Sequence, residues 1–200
     1  MKVMEIRICS SLVLFFLLLS IKPMAQSHKA NISFGAGRAF LGTGDIGGIM
    51  FFNEVEIPLK KRLSINPGLQ FTSHSRVYNF THFEYRYITM GITAYTNISY
   101  ALLLKPRHRI TTGLGPSLRY QRSSAPTYIE YRLEPPSPGT PTLIFEYEEP
   151  IATWALGFVV NAQYQYKVSE KFFLGARVML QNDTRGDIIT SQVLTFAVGL

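Results

Sequence analysis

From about residue 30 onward, apolar and polar side chains alternate with a period of two, again and again, and no stretch carries a helical period of useful length. The cleanest run sets Leu63, Ile65, Leu69 and Phe71 against Ser64, Asn66, Gly68, Gln70 and Thr72. A longer one sets Ile88, Met90, Ile92, Ala94, Ile98, Tyr100 and Leu102 against Thr89, Gly91, Thr93, Tyr95, Asn97 and Ser99. The pattern recurs around Ile110–Tyr120, Trp154–Tyr166, Phe172–Gln181 and Ser191–Gly199, and more roughly around Asn31–Phe40 and Gly48–Ile57. The rough pair holds the misfits. Met50 and Phe52 fall on the polar side, and Arg38 and Asn53 on the apolar side. Arg38 can snorkel if it lies near a membrane rim; Asn53 has no account from the sequence. Connections alternate in character: residues 58–61, 105–107 and 169–171 are short and basic or polar, whereas 42–44, 74–85, 123–150 and 183–186 include two long ones.

Alternation alone does not say which face meets water. The apolar face carries more large aliphatic and aromatic side chains than the single interior layer of an eight-stranded barrel holds. The polar face is rich in Gly, Ser, Thr, Asn and Gln and nearly free of Lys, which is too little charge for a wetted surface. Both features turn the apolar face toward lipid. In hydrocarbon every backbone N–H and C=O needs an internal partner, so strands can span only as a closed barrel. The predicted fold is therefore all-β: an eight-stranded antiparallel up-and-down transmembrane β-barrel. An even strand count returns both termini to one side, with short turns there and longer loops opposite. Trp154, Tyr100, Tyr164 and Tyr166 are candidates for interfacial aromatic girdles. The rival architecture is a soluble periplasmic barrel with the apolar face inward.

Composition sharpens this picture. Charged residues make up 16% and aromatics 13%, against roughly 25% charged in an ordinary soluble domain. The chain opens with Lys2 and Arg7, an apolar run from Ser11 to Ile21, and Pro23-Met24-Ala25 before Gln26. That order predicts a secretory signal peptide over residues 1–25, leaving a barrel domain over 26–200. Cys9, the only cysteine, precedes the apolar run, where a lipoprotein cysteine would follow it. The mature chain then has no disulfide, thiol nucleophile or thiolate metal site. Cleavage removes three cations and one acid from a net charge of +7. The remaining basic excess suits an anionic membrane surface and is too diffuse for nucleic acid.

Five charges fall on the polar, lumen-facing side: Glu54, Glu56, Arg109, Arg119 and Arg177. Within a narrow barrel they need partners, because an unpaired buried charge costs several kcal/mol. They either form a luminal ion-pair network or lie in water at the barrel ends. A lumen filled by side chains is no channel, so a narrow pore for small solutes or ions is an alternative only. His28, His74, His82 and His108 show no metal spacing, and no cofactor or metal is expected. His74 and His82 share one segment with Ser73, Ser75 and Glu84, which supplies the residue types of a lipid hydrolase without its supporting pattern. Residues 123–150 are the most distinctive segment. TYIEYRL and TLIFEYE alternate on either side of PPSPGTP, which predicts a protruding hairpin that continues the flanking barrel strands. Tyr128, Tyr131, Arg132, Phe145 and Tyr147 are its candidate partner-binding residues, through an exposed strand edge.

With a signal peptide, eight alternating strands and the GLGPSLRY stretch at Gly113–Tyr120 in hand, the chain resembles the small bacterial outer-membrane β-barrel proteins of the OmpX and OmpA-membrane-domain type, from residue 30 to 200. The resemblance implies residence in the outer membrane of a Gram-negative bacterium, with outer-membrane lipid as surroundings. It also implies insertion by the barrel-assembly machinery and contacts made through extracellular loops. One departure stands out: the chain ends in Leu200, where the family usually ends in an aromatic residue. The functional expectation is a non-enzymatic barrel with a structural or surface-interaction role. The alternatives are a narrow pore and an outer-membrane lipid-modifying enzyme.

Overall fold

The computed structural model describes residues 30–42, 46–80, 83–124, 126–132, 142–147 and 150–200. The expected signal peptide lies outside the described residues. Among the described residues there are ten strands and no helix: β1 (Asn31–Leu41), β2 (Ile46–Lys60), β3 (Leu63–Phe80), β4 (Phe83–Leu104), β5 (His108–Ser124), β6 (Pro126–Arg132), β7 (Thr142–Tyr147), β8 (Ile151–Lys167), β9 (Phe172–Asp183) and β10 (Ile188–Gly199).

Eight of them close into a barrel in the order β1-β10-β9-β8-β5-β4-β3-β2. Every neighbouring pair is antiparallel. Closure runs along the whole of β1, from Asn31 opposite Gly199 to Leu41 opposite Ile189. No barrel strand is left with a free edge, as a strand in hydrocarbon requires. Because each side chain points opposite to the next, the register fixes two surfaces. Ile49, Phe51, Leu69, Ile92, Leu114, Trp154, Leu156, Leu174 and Leu194 are exposed on the outside, Leu194 by 77%. Ser64, Gln70, Thr93, Asn97, Asn161, Gln163, Gln181 and Thr195 are buried inside. The apolar belt therefore faces lipid and the polar face lines the lumen.

Met50 and Phe52, which break the sequence pattern, are lumen-facing and buried. They pack with Ala39, Leu41, Val159, Met179, Ile189 and Val193 as an apolar plug. A narrow lumen excludes water, so its wall tolerates apolar groups wherever they meet one another. Arg38 and Asn53 do face outward. Two glycines make room for the aromatics: a Cβ on Gly35 would run into the Phe52 ring, and one on Gly68 would come within 2.6 Å of Tyr95 Cζ.

The structure departs from the sequence reading at the loop end. Residues 74–85, expected as a loop, are largely strand: β3 and β4 stay paired up to Phe80 opposite Phe83. Beyond the lipid belt neither face need be apolar, so the alternation fades while the ladder continues. Within residues 123–150, β6 and β7 pair antiparallel, and among the described residues they pair only with each other, as a two-stranded sheet separate from the barrel sheet and not as a continuation of its strands. At the other end the connections are tight. Lys61 and Arg62 turn β2 into β3, with a register shift between Pro58 and Lys60 where the proline has no N–H for the ladder.

Candidate functional site

The lumen is crossed by successive tiers of polar contacts. Nearest the turns, Arg109 of β5 reaches Glu56 of β2 through both terminal nitrogens, with Nη1 2.8 Å from Oε2. Asn31 Nδ2 donates to the same oxygen at 3.0 Å. In the next tier Arg177 of β9 grips Glu54 of β2 with two parallel bonds of 2.6 and 2.9 Å. Arg177 Nε donates to Gln163 Oε1 at 3.1 Å, and Asn66 Nδ2 donates to Glu54 Oε1 at 3.3 Å. The Phe52 ring stacks on the guanidinium, 4.3 Å from its carbon. Both partners of this pair are almost wholly excluded from solvent. Such a fork-to-fork pair is the strong form of ion pair, and its enclosure makes losing either partner costly.

Above it, Gln70 Nε2 of β3 donates to Gln181 Oε1 of β9 at 3.3 Å, and Thr93 Oγ1 reaches the same oxygen at 3.5 Å. In the ring of eight strands β3 and β9 stand opposite each other, so this bond spans the full bore. At the loop end Arg119 of β5 pairs with Asp183 at 2.9 Å and with Asp187. Asp183 also shapes the β9–β10 turn: its Oδ1 accepts from Arg185 N at 3.0 Å, and its carbonyl accepts from Gly186 N at 2.9 Å. Gly186 sits there at a φ of 79°, a left-handed conformation that glycine adopts without strain.

The five charges named from the sequence thus fall into three clusters: Glu56 with Arg109, Glu54 with Arg177, and Arg119 apart from both. The sequence reading missed Asp183 and Asp187, the partners of Arg119. The available signal was parity. Asp183 follows Arg177 and Gln181 on the same face of β9, and the lumen-facing set otherwise holds three bases against two acids. Of the hairpin residues, the backbone of Tyr128, Tyr131 and Arg132 lies in β6, and that of Phe145 and Tyr147 in β7. Ile129 stands opposite Phe145, and Tyr131 opposite Leu143.

The residues considered for hydrolysis do not converge. His74 points into the lumen and is buried, while its neighbours Ser73 and Ser75 alternate to the outer face. The side chains of His82 and Glu84 lie outside the described residues. His108 is on the outer surface, with its Nδ1 2.8 Å from the Tyr164 hydroxyl and its ring against Tyr166. Among the described residues no group of His, Cys, Asp and Glu is placed to hold a metal ion. Two aromatic groups flank the belt: Tyr120 with Trp154 toward the loops, their rings 4.9 Å apart, and Tyr164 with Tyr166 toward the turns.

No protein-family model matches the sequence, and no curated protein is significantly similar to it. The fold does have solved counterparts. Ail, the attachment invasion locus protein of Yersinia pestis, crystallised with the heparin analogue sucrose octasulfate, superposes with a TM-score of 0.54 at 9% identity, over 87% of this chain and all 100% of that one. Neisserial surface protein A superposes with a TM-score of 0.53 at 12% identity, over 86% of this chain and 97% of its own. A major outer membrane protein of Thermus thermophilus gives 0.50 at 12% identity, over 86% and 100%. At these identities the likeness is one of fold: the chain has the closed barrel of the small outer-membrane proteins.

Proposed function

We propose that this chain is an exported outer-membrane protein of a Gram-negative bacterium that works without catalysis. Its barrel is an anchor, and the β6–β7 hairpin and the outer ends of β3 and β4 are its contact surface. The signal peptide over residues 1–25 would be removed on export, the turns would lie in the periplasm, and the loops outside the cell. The observation that carries this reading is the division of labour between ends. The turn end is trimmed to a few residues per connection. The loop end extends two strands to Phe80 and Phe83 and adds a separate ribbon. Among the described residues the two-stranded ribbon has two open edges, each a row of backbone donors and acceptors suited to strand addition.

Charge narrows the partner. Ail was crystallised with a polysulfated ligand, but the hairpin here carries Glu130, Glu134, Glu146, Glu148 and Glu149 against Arg132. Like charge repels a polyanion, so the reading favours a protein partner with basic groups along an extended segment. In support of a non-enzymatic role, His74 and its flanking serines lie on opposite faces of β3.

The test compares cells displaying the whole chain with cells displaying a form lacking residues 132–145, for adhesion to immobilised surface proteins. Adhesion should fall to background in the shortened form, while its heat-modifiable migration stays intact. Equal adhesion by both forms would remove the hairpin from the contact surface.

A further inference from the structure

The barrel wall is uneven in height. β3 and β4 have 18 and 22 residues, whereas β1, β9 and β10 have 11, 12 and 12. About 9–11 tilted residues cross the hydrocarbon of a bilayer. The three short strands therefore run from one headgroup level to the other, with Leu41 and Ile188 at the loop-side level. Arg38 faces outward shortly before Leu41, about 7 Å below that level for a strand tilted by about 45°. A guanidinium on its flexible stem bridges that depth.

Arg38 also stands at one end of a groove in the lipid-facing surface. The ladders align Thr112, Ala162, Val178, Gln192 and Arg38 as one outward row over β5, β8, β9, β10 and β1. The row climbs, because Thr112 is close to the turn-side end of its strand and Arg38 is close to the loop-side end of its own. The next row toward the loops, Val160, Leu180, Thr190 and Phe40, runs parallel to it. Both rows line a hollow of about 330 Å³. Its lower end is apolar: Ala162 is short, and the Thr112 hydroxyl donates back to the Asn161 carbonyl at 3.1 Å. Its upper end carries Gln192 and Thr190, with Arg38 directly opposite Gln192. Among the described residues the side chains of Arg38 and Gln192 have no hydrogen-bond or ion-pair partner, and no acid faces outward on β8, β9, β10 or β1. A cation and an amide in the belt thus need an anion that the wall itself does not supply.

We propose that this groove binds a lipid with a phosphomonoester head, drawn from the loop-side leaflet. The Arg38 guanidinium forks to two phosphate oxygens, and the Gln192 amide and Thr190 hydroxyl serve the third. One acyl chain follows the row down past Val178 to Ala162. A monoester offers three terminal oxygens where a diester offers two, so the donor set matches the monoester. The site rests on the transmembrane orientation of the barrel and is independent of the hairpin as a contact surface. It goes beyond that reading by giving one wall of the barrel a preferred lipid class.

The test titrates the full barrel, purified in mild detergent, with phosphatidic acid, phosphatidylglycerol or phosphatidylcholine of identical acyl chains under native mass spectrometry. Phosphatidic acid should be retained about fivefold over phosphatidylcholine, the worth of one basic residue near an anionic surface, with phosphatidylglycerol between them. The combined variant Arg38→Gln, Gln192→Leu should lose that preference and keep its heat-modifiable migration. Ala162→Phe fills the lower groove and should weaken retention of phosphatidic acid with the migration again unchanged. Arg122→Gln, outward on β5 across the ring from β1, should alter neither. Equal retention of phosphatidic acid and phosphatidylcholine, an unchanged preference in the Arg38 variant, full retention in Ala162→Phe, or the same loss in Arg122→Gln would each overturn the site. Phosphatidylglycerol retained as well as phosphatidic acid would overturn the monoester assignment. Full displacement of phosphatidic acid by millimolar inorganic phosphate would reduce the groove to a free-phosphate site and overturn the lipid assignment. A dimer in lipid-free detergent that the Arg38 variant dissociates would give the wall to a second copy of the chain and overturn it as well. A chain that fails to insert into vesicles brings down the transmembrane reading and the site together, whereas normal insertion without a lipid preference brings down the site alone.

Discussion

Asn53 is the residue most at odds with its surroundings. It faces outward midway along β2, between Phe51 and Val55, and stands opposite Phe34 and Leu69 on the neighbouring strands. Its amide meets hydrocarbon, which offers no hydrogen bond. Asn53→Leu should therefore stabilise the barrel in phospholipid vesicles, by about 1–3 kcal/mol. Denaturant unfolding would read this as a raised midpoint with an unchanged slope; an unchanged or lowered midpoint would mean that the amide has found a partner in the membrane. The luminal pair predicts the opposite sign. Arg177→Met leaves Glu54 enclosed without its counter-ion and should cost about 3–5 kcal/mol. Replacing both, as Glu54→Gln with Arg177→Met, should recover a large part of that loss. If the double variant is as unstable as the sum of the single ones, the two side chains are not coupled. Gly35 belongs to the same assembly, since a methyl there displaces Phe52 from beneath the guanidinium.

At the scale of elements, strand existence and facing were legible in the sequence because the membrane imposes them. Lipid on one side and a narrow polar lumen on the other enforce a strict period of two, as the exposure of Leu69 and Ile92 and the burial of Gln70 and Thr93 reflect. Where the membrane ends, so does the code. Arg76 lies over the Tyr78 ring, 4.8 Å from its centroid, in a stretch of β3 where polar and aromatic residues mix freely; by its pattern alone that stretch reads as a loop. Ion-pair partners were illegible for a different reason. Parity says that Glu54 and Arg177 face inward, but strand tilt and register decide that β9 supplies the base for β2. The separation of β6 and β7 from the barrel sheet yields a prediction at this scale. Replacing residues 126–147 with a short Gly-Ser linker should leave the unfolding midpoint of the barrel within about 0.5 kcal/mol of its original stability, as for changes remote from any core. A larger loss would mean that the ribbon braces the barrel mouth.

For the whole molecule the tiers act as cross-struts in a tube. Contacts within one wall would leave the bore open. Here Glu54 and Arg177 lie on β2 and β9, Glu56 and Arg109 on β2 and β5, and Gln70 and Gln181 on opposite walls, so each tier obstructs the path from end to end. The apolar plug of Met50, Val159, Met179 and Val193 adds a dry segment that hydrated ions avoid. Planar-bilayer recordings of the intact protein should accordingly show no unitary current. Removing one tier is insufficient, because the others still bar the way. Removing the ion pair and the glutamine strut together, as Glu54→Ala, Arg177→Ala, Gln70→Ala and Gln181→Ala, should produce conductance only if the apolar plug also admits water. Adding Met50→Ser to that set is then the decisive step: current appearing with the fifth substitution and absent before it would assign the final barrier to the plug. Steady current through the unaltered protein would instead mean that the struts part in the membrane, and that the barrel conducts as well as anchors.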